Sequence, residues 1–230
     1  MKVVILLAGY GSRLQASEPK SLVKFRNGRS ILDYQLEALT RLVRLQDIFM
    51  VVGFKKELIM EAAPCCTFVY NARFDRTNTA KSLLLALARI DDDVLWLNGD
   101  VFFDDDVITR ITAASANSIL VNCARVSDEE VCYTLDSVGC VQRLAKGLGA
   151  MAAGEAVGIN MVRRSDRASL VSLLEEVSDQ DYFERAIELG IERKLFTFHP
   201  IDVGQEFVKE MDFQDDYDLI DRHLSVEGDQ

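Results

Sequence analysis

Near the start of the chain, an apolar run at residues 3–7 empties into Ala8-Gly9-Tyr10-Gly11-Ser12-Arg13-Leu14, with Pro19-Lys20 just downstream. A loop with two glycines lets backbone N–H groups approach a polyphosphate, because glycine has no Cβ and tolerates positive φ. Arg13 adds a planar donor fork for phosphate oxygens and Lys20 a compact positive charge. No GxxxxGK[ST] follows the run, so this is not a Walker loop. Leu14 stands where a dinucleotide fingerprint needs its third glycine. A nucleoside triphosphate held for chemistry at its phosphates is the reading that remains.

A second candidate is Asp100, which follows the apolar run Val94-Leu95-Trp96-Leu97 through Asn98-Gly99. A carboxylate projected by a glycine turn beyond the carboxyl end of a strand suits Mg²⁺, which takes hard oxygen ligands and bridges to phosphates. The alternative is a helix cap or a solvated turn. The third is Asp212, within Glu210-Met211-Asp212-Phe213. It could cap the last helix or give a metal its second carboxylate. The acidic runs at 91–93 and 104–106 read as solvated helix ends. His199 and His223 lie away from every motif and read as structural.

Something must position these groups, and the first half of the chain alternates strand and helix. Strands are expected at residues 2–7, 47–53, 66–70, 93–98 and 119–124. Helices are expected at 31–45, 79–90 and 105–114. Such units imply an α/β fold with a mostly parallel, mixed sheet and helices on both faces. Beyond residue 125 the pattern changes to a hairpin at 132–135 and 140–144 and a strand at 156–162. Helices at 166–177 and 181–189, a strand at 195–198 and a last helix at 214–224 follow. No linker rich in Pro, Gly or Ser divides the 230 residues. One domain is expected, with a nucleotide-binding half (1–125) and an acceptor-side half (126–230), and with residues 225–230 fraying.

Composition narrows the partners. Lys and Arg number 26 against 37 Asp and Glu, a net charge of −11, which disfavours nucleic acid and anionic membranes. Any anionic substrate must then meet a few placed cations. The five cysteines (65, 66, 123, 132, 140) contain no CxxC pair, and buried reduced thiols in a cytoplasmic protein are expected. The opening run reads as a strand and leaves no room for a signal peptide, and no apolar run approaches the ~20 residues of a membrane span.

The opening motif with Pro19-Lys20-Ser21-Leu22 resembles that of the nucleotidyltransferases that activate sugar 1-phosphates and phospho-alcohols. Asn98-Gly99-Asp100 resembles their metal aspartate, Glu155-Ala156-Val157-Gly158-Ile159 their acceptor-side strand, and Glu210-Met211-Asp212 their late Glu-x-Asp segment. Within that superfamily the chain is most similar to compact cytidylyltransferases acting on phosphocholine or 2-aminoethylphosphonate. Thr77-Asn78…Ser82 and Tyr182-Phe183-Glu184 carry that likeness, while Ser17-Glu18 before Pro19 departs from the pattern.

The resemblance implies a Rossmann-like nucleotidyltransferase fold with a small acceptor-side lobe. It implies nucleotide contacts from Leu7, Ala8, Gly9, Gly11, Ser12, Arg13, Asn78, Ser82 and Asn98. Asp100 and Asp212 would hold Mg²⁺, and Arg13, Lys20 and Lys146 would act on the phosphates. Lys146, Glu155, Tyr182 and Glu184 would meet the acceptor. The implied activity is Mg²⁺-dependent cytidylyl transfer from CTP to a small phospho-alcohol or phosphonate, releasing pyrophosphate. Two alternatives stand beside it, a sugar 1-phosphate nucleotidyltransferase using UTP, GTP or dTTP, and a nucleotide-binding regulatory protein without turnover. An apolar edge in the late hairpin would support a homodimer.

Overall fold

A computed structural model of the chain describes residues 1–10, 18–124, 126 and 130–227. Lys2–Leu7 (β1) is apolar on both faces because it is central in a sheet covered on both sides. Val3, Ile5 and Leu7 enter one core, Val4 and Leu6 the other. The chain then passes through Ile31–Thr40 (α1), Ile48–Val52 (β2), Lys56–Ala62 (α2), Thr67–Tyr70 (β3), Thr79–Leu87 (α3) and Val94–Asn98 (β4). Val101–Phe103 (β5), Asp105–Ala113 (α4), Ser118–Asn122 (β6), Cys132–Leu135 (β7), Val141–Ala145 (β8) and Gly154–Val162 (β9) follow. Arg164–Glu176 (α5), Phe183–Glu192 (α6), His199–Asp202 (β10), Val208–Glu210 (β11) and Gln214–Glu227 (α7) complete it.

Among the described residues nine strands form one mixed sheet in the order β10-β6-β9-β4-β1-β2-β3, with β7 joining β9 and β8 joining β7. β4, β1, β2 and β3 are parallel, and β9 runs antiparallel to both β4 and β6. α1, α2 and α4 cover one face, and α3, α5 and α6 the other. A third cluster, with Phe25, Phe102, Met211, Ile220 and Leu224, seats α7. The expected α/β sheet with helices on both faces is therefore present.

The chain leaves β1 towards β2 on one side and later returns to β4 on the other. This reversal opens a crevice at the carboxyl ends of β1 and β4, where open α/β sheets bind ligands. A separate antiparallel ribbon pairs β5 with β11, Glu210 opposite Val101, and ties residues near 100 to residues near 210.

Several expectations are corrected. The strand expected at 195–198 lies instead at His199–Asp202, which pairs with β6. Phe196 and Phe198 are buried by packing, their rings meeting edge to face at 5.5 Å. The helix expected at 31–45 ends at Thr40, and α2, β5 and β11 are elements that the sequence pattern does not predict. Only Cys132 and Cys140 are buried; Cys65 and Cys123 are exposed, Cys66 is half-buried, and none of the five forms a disulfide.

Gly99 shows how tightly the crevice is built. A Cβ there would fall 2.2 Å from Leu7 Cδ2 and 2.8 Å from the Leu6 carbonyl oxygen, which accepts the Gly99 N–H at 3.0 Å. Gly99→Ala is expected to cost about 1–3 kcal/mol through overpacking. The urea midpoint should fall accordingly, and an unchanged midpoint would contradict the packing described.

Candidate active site

The crevice holds a cavity of about 390 Å³. Leu7, Ala8 and Gly9 line it from the end of β1, and Asn98, Gly99 and Asp100 from the end of β4. Pro19, Lys20 and Ser21 enter on a short 3-10 turn, with Lys20 only 9% exposed. Asn78 and Ser82 come from the start of α3, Tyr182 and Glu184 from the start of α6, Ala156 and Gly158 from β9, and Lys146 from the loop after β8. Residues far apart in sequence thus converge on one space. Gly11, Ser12 and Arg13 lie outside the described residues.

The β5–β11 ribbon sets the acidic corner. The Met211 N–H donates to the Asp100 carbonyl at 2.9 Å, so Asp100 and the Glu210–Asp212 segment lie side by side. Carboxylate oxygens of Asp100, Glu210 and Asp212 all lie within 4.8 Å of one another. The Lys20 ammonium donates to Asp212 Oδ1 and, at 3.3 Å, to Asp100 Oδ2. At the start of α7, Asp216 accepts the Asp212 and Phe213 N–H groups at 3.0 and 2.8 Å. Burial pushes the Asp100 carboxyl up, Lys20 opposes this, and Asp212 adds to it. Glu210 is raised well above its ordinary value by burial, then by Asp100 and Asp212. For Lys20, burial disfavours the charge, yet the two aspartates outweigh it and raise the ammonium above its ordinary value.

Three hard oxygen donors this close fit Mg²⁺, whose ligands stand roughly 3–4 Å apart in an octahedron. Glu210 is the member that the sequence reading left out of the metal set. Its signal was present, because residues i and i+2 of an extended segment face the same side.

Gln35 was missed altogether. This residue of α1 is 1% exposed, and its Nε2 donates to the carbonyls of Asn98 and Val101 at 3.0 and 2.8 Å. It braces the turn carrying Asp100 from both sides. Helical periodicity assigns such a position to the core and does not reveal that it holds a loop.

On the α6 side, the loop before α3 is stitched to the loop before α6. The Asn78 N–H donates to the Asp179 carbonyl at 2.8 Å and the Phe183 N–H to Thr79 Oγ1 at 3.2 Å. Asn78 also caps α3, accepting the Thr79 N–H at 2.8 Å. The Ser82 hydroxyl accepts from buried Asn71 at 3.0 Å. Lys146 Nζ stands 5.6 Å from the centre of the Tyr182 ring. Ala156 and Gly158 line the cavity from β9, Glu155 of the same strand is not among the lining residues, and Val157 packs into the other core.

Three residues lining the cavity keep a buried polar atom without a hydrogen-bond partner: Ser21 Oγ, Asn98 Oδ1 and Glu184 Oε2. Each such atom costs about 1–3 kcal/mol unless a ligand or water meets it. Of the two histidines, His223 pairs with Asp104 at 2.8 Å and stacks on Phe207, while His199 stands 3.8 Å from the Cys140 thiol. Neither lines the cavity.

A family model described as the MobA-like NTP transferase domain matches residues 3–178. The chain belongs to this family. Among curated relatives, CMP-5'-(3-aminopropyl)phosphonate synthase of Streptomyces rubellomurinus is 36% identical over 123 residues, 50% of this chain and 19% of that protein. The bifunctional protein GlmU of Methanococcus maripaludis is 35% identical over 113 residues, 46% of this chain and 26% of that protein. The matches thus span a fifth to a quarter of these relatives' lengths. Among solved structures, the CTP:phosphocholine cytidylyltransferase of Streptococcus pneumoniae (LicC) superposes with a TM-score of 0.77 at 18% identity, covering 97% of this chain and 98% of that one. The inositol-1-phosphate CTP transferase of T. maritima gives 0.78 at 16% identity, covering 95% and 94%. At such identities these likenesses show the fold.

Glu184 yields a prediction for the ligand-free protein. Burial is the main cause that pushes its carboxyl from 4.5 up to about 7, opposed by its own backbone N–H and by Lys146. The folded state then binds the proton more tightly than the unfolded state. Its stabilising contribution is complete below pH 4.5 and is lost as pH rises through about 7. Glu184→Gln should remove that dependence, gaining roughly 3 kcal/mol on the parent between pH 4.5 and pH 8. Urea unfolding of both proteins across that range checks it, and parallel curves would contradict the burial of this carboxyl.

Proposed function

We propose that this chain is a nucleotidyltransferase that moves a cytidylyl group from CTP to a small phosphate or phosphonate acceptor and releases pyrophosphate. The observation that carries the reading is the convergence, in one cavity, of Leu7, Ala8 and Gly9, Lys20 and the carboxylates of Asp100, Glu210 and Asp212 with Lys146, Tyr182 and Glu184. An acceptor oxygen would attack the α-phosphorus, and the bond to the β-phosphate would break. Two anions must meet, so the protein's task is positioning and charge neutralisation. The attacking oxygen is already ionised at neutral pH, and no general base is needed.

In this reading Arg13 and the amides of the opening loop bind the leaving phosphates, and Lys20 stabilises charge developing at the α-phosphate. Asp100 and Asp212, now joined by Glu210, would hold Mg²⁺. The ion would supply charge neutralisation between nucleotide and acceptor. The backbone of residues 7–9, with Asn78, Ser82 and Asn98, would meet the nucleoside; the unpartnered Asn98 Oδ1 supports this. Lys146 would take the acceptor's phosphate, and Tyr182 and Glu184 its head group. The relative named for an aminopropylphosphonate supports cytidylyl transfer. The GlmU relatives keep a sugar 1-phosphate acceptor with UTP, GTP or dTTP as the second reading. A cytoplasmic enzyme acting on small molecules is part of the same proposal.

The test is pyrophosphate release in Mg²⁺ with CTP, UTP, GTP and dTTP, offered phosphocholine, 2-aminoethylphosphonate, (3-aminopropyl)phosphonate and glucose 1-phosphate. CTP should outrun UTP by about tenfold or more, because a site that hydrogen-bonds the cytosine amino group leaves buried acceptors facing a carbonyl of uracil. Comparable turnover with UTP and glucose 1-phosphate, and none with the small acceptors, would favour the sugar reading. Asp100→Ala should lower kcat/KM by on the order of a hundredfold or more, about 3 kcal/mol, with the fold retained by circular dichroism. Near-normal turnover would remove Asp100 from the site.

A further inference from the structure

Lys20 stands where a divalent ion would have to go. Its ammonium donates to Asp212 and Asp100, and the oxygens of Asp100, Glu210 and Asp212 lie within 4.8 Å of one another. A space of that size holds one cation at a time, since Mg²⁺–oxygen contacts are only about 2.1 Å. We propose that Lys20 is the resident cation of the nucleotide-free site, excluding a divalent ion until a nucleotide's phosphates draw its ammonium away.

This rests on the metal reading of the three carboxylates. It assigns Lys20 a role before the chemistry, as the group that makes metal loading depend on nucleotide. Two features of the site make the exchange feasible. The ammonium sits on a flexible four-carbon stem, so it can leave the carboxylates without the backbone moving. Its alternative partner is close, because Lys20 lines the same cavity as Ala8 and Gly9 of the opening loop. A polyphosphate bound there would offer the ammonium as much negative charge as the aspartates do. Nucleotide and metal would then bind with positive coupling, each tightening the other by the same factor. A plain structural salt bridge between the 3-10 turn and the ribbon predicts the opposite for a Lys20 variant: a loosened corner that binds metal no better.

Direct binding of Mn²⁺ to the nucleotide-free protein separates these, read as loss of the free-ion electron paramagnetic resonance signal. Lys20→Met keeps the stem and removes the charge, and should bind Mn²⁺ at least about tenfold more tightly than the parent. Lys20→Arg keeps a cation and should stay close to the parent. Asp100→Asn placed on Lys20→Met should abolish the gain. Circular dichroism and melting curves show that each variant is folded. Equal or weaker Mn²⁺ affinity in folded Lys20→Met overturns the proposal; the metal reading survives if Asp212→Asn weakens the affinity of the parent. Tight binding in Lys20→Met that ignores Asp100→Asn places the ion elsewhere and overturns both.

Discussion

Three carboxylates brought within 4.8 Å of one another in a half-buried corner are the constraint on which this structure turns. At the effective dielectric of a partly buried site, each ionised pair repels by roughly 3 kcal/mol. The fold meets that cost with a charge and with hydrogen bonds. Lys20 supplies the charge. The β5–β11 ribbon and the Met211 N–H to Asp100 bond supply the positioning. α7 is pinned behind the ribbon by Ile220 and Leu224, and by Asp221, which accepts the Arg26 N–H at 2.9 Å. Gln35 braces the Asp100 turn from the opposite side. Natural proteins tolerate such a concentration of like charge where a ligand resolves it, and the cation and phosphates of the proposed reaction would do so.

The other side of the cavity stores its cost differently. Glu184 is buried there with one oxygen unpartnered. The positions of Tyr182 and Glu184 depend on hydrogen bonds between the loop before α3 and the loop before α6. A salt-bridge network behind α6 adds to this, with Glu188 held by Arg143 of β8 and by Arg185. The Tyr182–Glu184 side of the cavity is therefore built by a helix start and a hairpin, elements that can vary while the sheet stays constant. This is a physical basis for one family acting on different acceptors, since a fold fixes a phosphate-handling frame and the site decides the substrate.

The central strands were legible in the sequence because burial on both faces leaves an unbroken apolar run. Such a run at residues 2–7 admits few other readings. The loop after β1 drew notice because glycine and a cation after a strand suit a polyphosphate, and Leu7, Ala8 and Gly9 at its start line the cavity. Asp100 was legible because it follows such a run through a glycine. The boundaries of the helices at 31–40 and 183–192, and the place of the last strand of the sheet, were not. Phe196 and Phe198 carry the alternation of a strand, yet they are buried by ring packing, and backbone pairing begins at His199.

What the sequence alone marked out was the kind of chemistry to expect: a glycine loop suited to phosphates, an aspartate suited to a metal, and too little positive charge for a polyanionic polymer. What only the tertiary structure decided was which distant groups meet. β5 and β11 are three residues each, too short for periodicity to register, and their pairing joins Glu210 and Asp212 to Asp100. The same holds for Gln35, whose periodicity says core and whose hydrogen bonds hold a loop. A motif states what a residue can do; a register of backbone hydrogen bonds between segments 110 residues apart states what it does it with.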